Sequence, residues 1–538
     1  MAKKESLIKG TLILVVATLL VRILSIGQRI PLEHMFGDIG NAAYGLATNV
    51  YLMLLTVASA GIPSTLSKMV SERYALNKPH EVHRIFRAAL IFSAISGVVM
   101  TVFLYLVAPF YAEHIAKVPE ASLAIRALAP ALLLFPATAM IRGYFQGRGN
   151  MTAPAISQIV EQILRVVTAI GLAFMMLHMG YSDQWLAAGA SFGGVLGSIG
   201  AFGAMLYYLV KRKKEDRSAP LAASLYEEST IPYKKIYTDI FKLSVPIVLT
   251  SLAVTAVNFI DGSIVKLLLS GKIGEVLAEQ SLAYLTSRAQ MIAGIPPILA
   301  IALSTSLIPV ISAAFTRNDV SHLRSQVTLA MRISILTSMP IVIALSTTAY
   351  SVNGLLFKSL DGSSIVGLLT LMTIFQVTMM TSNSILLSIG KPNYSMIHVG
   401  IGIVAKIIGS YVLSYLWGIY GIITATGLCF FIITILNLRM IKKIVPFSIM
   451  GKRWVGFLVT VIVLSGIGYS LNQAGIQMVS VFADRIAFFL TCCIVGAVVA
   501  TLYPVLLIVL RVIRQDDLKG FPTPLRKIIS PLMKLQRG

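Results

Sequence analysis

Four polar side chains recur on one helical face inside an otherwise apolar run: Gln158, Glu161, Gln162 and Arg165 stand at i, i+3, i+4 and i+7. Lipid is not what such a row can meet. Glu161 and Arg165 are four apart with the acid first, the favourable order for an intrahelical ion pair. Two readings stay open. The pair neutralises itself between packed helices, or it forms the wall of a water-filled cavity in which Glu161 aims Arg165 at an anion.

Other charges in apolar surroundings are mostly positive. Arg22 and Arg29 lie along the first apolar run, Arg288 at the start of the eighth and Lys406 within the eleventh. An intramembrane charge costs ~2.5–3.5 kcal/mol by insertion scales, so such residues usually face a cavity. Lys266, near the end of the seventh run, is expected to snorkel to the headgroups. Asp261 with Asn258 is the other intramembrane acid, read either as a proton or sodium site or as a carboxylate that simply hydrates. Gly61-Ile62-Pro63 and Gly294-Ile295-Pro296 mark places where a helix bends, since proline removes an intrahelical bond.

The elements that must hold these residues are about fourteen apolar runs: 7–27, 44–66, 86–109, 124–144, 154–177, 185–210, 244–269, 285–312, 327–349, 364–388, 394–416, 418–440, 453–471 and 486–512. A bilayer core of ~30 Å takes roughly 20 helical residues, and 56% hydrophobic residues with a mean hydropathy of +0.82 leave no polar remainder to enclose so many runs. A transmembrane barrel is excluded because its strands are ~10-residue alternating segments. The expected fold is therefore all-α and polytopic.

The formal net charge of +23 invites a nucleic-acid reading, and its distribution answers it. With the N-terminus inside, the inward joints and the C-terminal tail collect 34 of the 45 Lys and Arg, Arg142 and Arg148 among them, so the charge follows the membrane rather than a nucleic acid. Cys429, Cys492 and Cys493 all lie in apolar runs, which leaves nothing for a disulfide framework or a zinc site. No Walker loop, zinc constellation or nucleophile elbow is present, so no cofactor, metal or covalent chemistry is expected. The first run lacks a small-residue cleavage site and leads directly into a second span, unlike a removed signal peptide.

An internal repeat organises the chain. Ala60-Gly61-Ile62-Pro63 in the second run matches Ala293-Gly294-Ile295-Pro296 in the eighth, and Arg165 and Lys406 each lie sixteen residues beyond a joint glycine, Gly149 and Gly390. The expected division is a six-helix half over 1–215, a basic linker over 216–243, a second six-helix half over 244–445, two added helices over 446–515 and a basic tail over 516–538. Two halves of like orientation suit a transporter that rocks around a midplane site.

With these residues in place, the chain resembles the MOP (multidrug/oligosaccharidyl-lipid/polysaccharide) exporter superfamily, and within it the Gram-positive polysaccharide-biosynthesis branch of MurJ-like lipid II flippases and SpoVB-like proteins. The most specific stretch runs from Gly143-Tyr144-Phe145-Gln146-Gly147 through Pro154 to Glu161-Gln162-Ile163-Leu164-Arg165. The family's first-helix motif falls on Arg22-Ile23-Leu24-Ser25, a second family arginine falls on Gln28 with Arg29 beside it, and the arginine opening helix 8 falls on Arg288. The family's helix 2 arginine has no counterpart here, because Thr56 to Pro63 carries no charge.

The resemblance implies a flippase for an undecaprenyl-pyrophosphate-linked cell-wall precursor, lipid II foremost, working in the plasma membrane by alternating access. Arg22, Arg165, Arg288 and Lys406 would then line a cationic cavity for the pyrophosphate, with the polyprenyl tail left in lipid along the last two helices. It also points to a monomer and allows cell-wall synthesis proteins as partners. A sodium site is not supported, since the eleventh and twelfth runs contain no acid to join Asp261. Three other classes compete. A cation-coupled drug antiporter should prefer an acidic interior, a scaffold needs no buried arginines, and a glycosyltransferase needs an acidic cluster on an outward loop.

The charge pattern places both termini and the 211–243 joint on the cytoplasmic side. In a cysteine-less background, Ser218→Cys should resist a membrane-impermeant thiol reagent in intact cells and react after permeabilisation. Labelling from outside would overturn the helix count and the repeat with it.

Overall fold

The computed structural model describes residues 7–59, 61–76, 78–217, 231–298, 310–357, 359–480, 482–514 and 533. Ser218 lies outside them, as does part of the run expected over 285–312. The described chain is helical and, among the described residues, without strands. Among the described residues, eleven helices are long and apolar enough to cross a membrane, or twelve if one bent pair is counted as a span. This is an all-α polytopic membrane protein.

By contact the chain forms two compact units, Met1–Ser287 and Arg288–Gly538. The first holds α1 (Leu7–Met35), α2 (Asp38–Ser59), α3 (Ile62–Ala75), α4 (Pro79–Phe110), α5 (Ala121–Leu128), α6 (Ala131–Gly147), α7 (Thr152–His178), α8 (Asp183–Arg217), α9 (Tyr233–Ile273) and α10 (Glu275–Ala283). A π-helical turn over Tyr284–Ala289 straddles the division. The second unit continues with α11 (Gln290–Ala293), α12 (Val320–Thr347), α13 (Ala349–Leu356), α14 (Ser363–Ser388), α15 (Pro392–Trp417), α16 (Ile419–Ile444), α17 (Trp454–Gln477) and α18 (Asp484–Val509).

Local chemistry sets the helix starts. Prolines stand in the first turn of α3, α4 and α15, where the missing N–H has no intrahelical partner to lose. Asp319 caps α12 by accepting from the His322 N–H at 2.9 Å. The basic joint is shorter than its 211–243 span in the sequence, because α8 runs on to Arg217 and α9 already begins at Tyr233.

Within the first unit, Ile62, Leu66 and Val70 of α3 pack with Val82 and Ile85 of α4, Met140 of α6 and Ile236 and Ile240 of α9. A second cluster joins Leu32 and Phe36 to Ala169 and Ala173 of α7 and Leu186 and Ala190 of α8. In the second unit, α12 packs with α17 and α18 through Ile343, Leu464 and Val499, and with α14 and α16 through Val327, Leu386 and Ile441.

Apolar surface does not drive helices together in lipid, so close backbone approach over small residues matters more. The seam between α7 and α8 shows it. A Cβ at Gly193 would lie 2.8 Å from the Arg165 carbonyl oxygen, and one at Gly197 would lie 2.8 Å from that of Glu161. Gly143 and Gly147 press α6 onto α3 in the same way, each within 2.6 Å of a backbone oxygen for an added Cβ. The glycine seams thus fix the backbone beneath the polar face of α7.

Gly197→Ala should push α7 off α8 at that face, an overpacking that costs about 1–3 kcal/mol. The measurement is thermal unfolding of the purified protein in detergent. An unchanged midpoint would show that the seam yields without cost.

Candidate functional site

The polar face of α7 turns into the protein. Ser157, Glu161 and Gln162 are buried, while Ile163, Leu164 and Val167 on the opposite side are exposed. Glu161 makes two ion pairs. Its Oε1 accepts from Arg165 Nη2 at 2.9 Å and its Oε2 accepts from Arg142 Nη2 at 2.9 Å. The pair expected within α7 is therefore present but does not neutralise itself: one carboxylate serves two guanidiniums.

Arg142 corrects the charge reading. It was counted in an inward joint, yet it is buried on α6, where its Nε and Nη2 also donate to Ser157 Oγ at 3.2 and 2.8 Å. Ser157 passes the tie on by donating to the Ala201 carbonyl of α8 at 3.1 Å. The usable signal was position, because residue 142 falls inside the apolar run 124–144.

Arg165 is less enclosed, with a side chain 20% exposed against 10% for Arg142. Its Nη2 reaches Tyr51 Oη at 3.4 Å, its guanidinium lies 5.7 Å from the Tyr51 ring centre, and its buried Nε–H has no acceptor among the described residues. Tyr51 was not singled out from the sequence, and nothing in its spacing would have marked it.

The rest of the stripe meets α1. Thr18 Oγ1 lies 3.5 Å from Gln158 Oε1, and Gln162 Nε2 lies 3.5 Å from Gln28 Oε1. Gln28, where the family pattern has arginine, donates to Tyr44 Oη at 3.1 Å. Arg29 stacks on Tyr44 at 4.6 Å and donates to Ser287 Oγ at 2.8 Å and the Thr286 carbonyl at 3.3 Å. Arg22 is exposed and makes no hydrogen bond or ion pair among the described residues. It shares a face of α1 with Thr18, Ser25 and Arg29 at helical spacing.

Asp261 is buried on α9, one position before Gly262, whose Cα packs toward Leu46 and the Asn49 amide of α2. The Asn258 carbonyl accepts from Asn49 Nδ2 at 3.2 Å. Among the described residues no three His, Cys, Asp or Glu side chains gather as a metal site would need. Lys266 does not snorkel. It is buried and donates to Glu279 Oε2 at 2.8 Å, with Glu275 at 3.5 Å, because the acids of α10 fold back over it.

In the second unit Arg288 is buried and clasps a loop: its Nη1 donates to the Ser359 carbonyl and Oγ and to the Asp361 carbonyl at 2.9–3.1 Å. Asn353 holds the same Asp361 carbonyl at 2.8 Å. Lys406 is fully buried and donates to the Ile422 carbonyl of α16 at 2.8 Å. The glycines of the two matched tetrapeptides both stand at helix ends. Gly61 precedes α3, where a Cβ would lie 2.5 Å from the Ser244 carbonyl oxygen, and Gly294 ends α11.

The polysaccharide biosynthesis protein family matches residues 7–315 of the chain. The chain belongs to that family. It is 27% identical over 471 residues to the lipid II flippase MurJ of Bacillus subtilis strain 168, covering 85% of this chain and 86% of that one. It is 24% identical over 530 residues to the stage V sporulation protein B of the same organism, covering 98% and 99%. A solved structure of a lipid II flippase MurJ in an inward closed conformation superposes with a TM-score of 0.67 at 16% identity, over 91% of this chain and 97% of that one. A multidrug resistance MATE family transporter of the MOP superfamily superposes with a TM-score of 0.65 at 18% identity, over 78% of this chain and 93% of that one, so the fold is like that of these transporters.

Within this family member, the Lys266–Glu279 pair gives a direct check on burial. Lys266→Met strands a buried carboxylate and should cost about 3–5 kcal/mol, whereas Lys266→Met with Glu279→Leu should recover most of that. Membrane abundance and thermal midpoint read both, and a harmless single variant would restore the snorkelling picture.

Proposed function

We propose that this chain is a flippase, not an enzyme, that carries an undecaprenyl-pyrophosphate-linked cell-wall precursor, lipid II foremost, from the inner to the outer leaflet of the plasma membrane. The observation that carries the reading is the surplus cation on α7. One carboxylate between two guanidiniums leaves a net positive charge in an apolar bundle, and Arg165 presents its less enclosed face beside Tyr51. A sugar-pyrophosphate headgroup cannot cross hydrocarbon unaided, and a planar guanidinium binds phosphate oxygens through two parallel charge-assisted bonds.

In this reading Arg165 is the anion contact, Gln158, Gln162 and Arg29 line the polar face, and Arg22 supplies an exposed charge on α1. Glu161 aims Arg165. Arg288 and Lys406, each bound to backbone carbonyls of its own unit, are the further cations assigned to the pyrophosphate, and they brace helices and loops as well. The interruptions at Gly61–Pro63 and Gly294–Pro296 serve as bending points, and Asp261 with Asn258 is the place to look for cation coupling. Both termini lie on the cytoplasmic side, and the protein works as a monomer that can engage cell-wall synthesis proteins.

A second reading is a flippase for another lipid-linked polysaccharide unit or a sporulation-specific precursor. Its support is the match to the stage V sporulation protein, which runs over 98% of this chain. Depleting the protein in its source cell and assaying which lipid-linked precursor accumulates in the inner leaflet separates the two.

The role of α7 is tested by complementation beside membrane abundance. Arg165→Gln, and Glu161→Gln with Arg165→Gln, should insert at normal level yet fail to restore growth. A fully active double variant would reduce the stripe to helix packing, and adding Arg142→Gln removes the buried cation that the loss of Glu161 strands.

A further inference from the structure

Arg142 has no part in the sequence-derived site, and its geometry gives it one. It is more enclosed than Arg165, it is anchored twice on Ser157, and it holds the second oxygen of the same carboxylate at 2.9 Å. The two guanidiniums compete for Glu161. Any anion that binds the open donors of Arg165 meets the charge of Glu161, which occupies one edge of the fork at 2.9 Å. How strongly Glu161 masks Arg165 therefore depends on how firmly Arg142 holds it from the other side.

We propose that Arg142 is a positioning residue that sets the anion affinity of Arg165 by sharing Glu161. With Arg142 in place, the carboxylate is divided between two cations and yields Arg165 to an incoming pyrophosphate, retreating onto Arg142 without becoming an unpaired buried charge. Without Arg142, Glu161 falls wholly to Arg165 and masks it. The surrounding geometry favours such a retreat. Ser157 fixes Arg142 to α7 and α8, whereas among the described residues Arg165 has only the 3.4 Å contact to Tyr51 as a further hydrogen bond. The proposal rests on the reading of Arg165 as an anion contact.

The test is binding of inorganic pyrophosphate to the purified full-length protein in detergent, with monodispersity and thermal midpoint recorded for every variant. Arg142→Gln should weaken binding about tenfold although Arg165 is intact, the scale of one charge-assisted bond. Glu161→Gln should tighten it by a similar factor, and Arg142→Gln with Glu161→Gln should bind at least as tightly as the native protein. Arg165→Gln should abolish binding in every background. This reversal in binding at an unchanged thermal midpoint is the discriminating result, because a purely structural pair loses and recovers binding together with its midpoint.

If Arg142→Gln does not fold, Arg142→Lys carries the test at smaller amplitude, about threefold weaker, since a point ammonium cannot hold Ser157 and Glu161 together. Binding that is lost with Arg165→Gln but indifferent to both Arg142 variants overturns the sharing alone. Pyrophosphate binding that survives Arg165→Gln, or that is absent even from Glu161→Gln, overturns the anion reading and the sharing with it.

Discussion

An ionised carboxylate in an apolar bundle is stable only where its lone pairs are matched, and Glu161 meets that condition by taking a guanidinium on each oxygen. Much of the first unit follows from this. Arg142 must come from α6, so α6 is held against α7 at this level. Ser157 must stand one turn before Glu161 to take the rest of Arg142, and its own proton goes to Ala201 of α8. The glycines of α8 then let the α7 backbone approach within contact of the Glu161 and Arg165 carbonyls. Removal of either arginine leaves Glu161 on the other one, so the carboxylate is never wholly unmatched.

The chemistry at this point is asymmetric by construction. Three charges with one acid cannot cancel, and the surplus is carried by arginines rather than lysines. Arginine serves both ends of the arrangement, because its fork can hold a carboxylate on one edge and leave N–H groups for another oxyanion. A lysine at Arg142 could not satisfy Ser157 and Glu161 from two directions. Charge-assisted bonds in a medium of low dielectric are strong enough to order side chains, yet a carboxylate with two guanidinium partners can shift toward either without itself becoming unmatched.

Much of the fold was legible in the sequence, since long apolar runs specify helices and lipid permits little else. The polar face of α7 was legible too, because all of its members lie on one helix and share one period. What comes from other helices was not. Arg142 lies nineteen residues before Glu161 and was placed in a joint, since its neighbours Arg148 and Asn150 suggest the bilayer edge. Tyr51 carries no mark of its role in its own helix. Lys266 was misjudged for the same reason: its partners Glu275 and Glu279 follow a turn, at Gly274, whose direction no periodicity reveals.

The internal repeat is most informative where its two copies differ. Arg165 and Lys406 occupy matching places after a joint glycine, and each touches the helix that follows its own. Their surroundings diverge at the residue one turn before. In the first copy that residue is Glu161, which recruits Arg142 and leaves Arg165 with spare donors. In the second copy it is Gly402, where a Cβ would meet Ile433 at 2.3 Å, so α15 and α16 close tightly and Lys406 is sealed with its ammonium on the Ile422 carbonyl. An acid therefore stands beside one buried cation, and a glycine lets the next helix close over its counterpart. On that physical ground the two copies of the repeat differ in what the buried cation touches, a carboxylate on α7 and a backbone carbonyl of the following helix in the second unit.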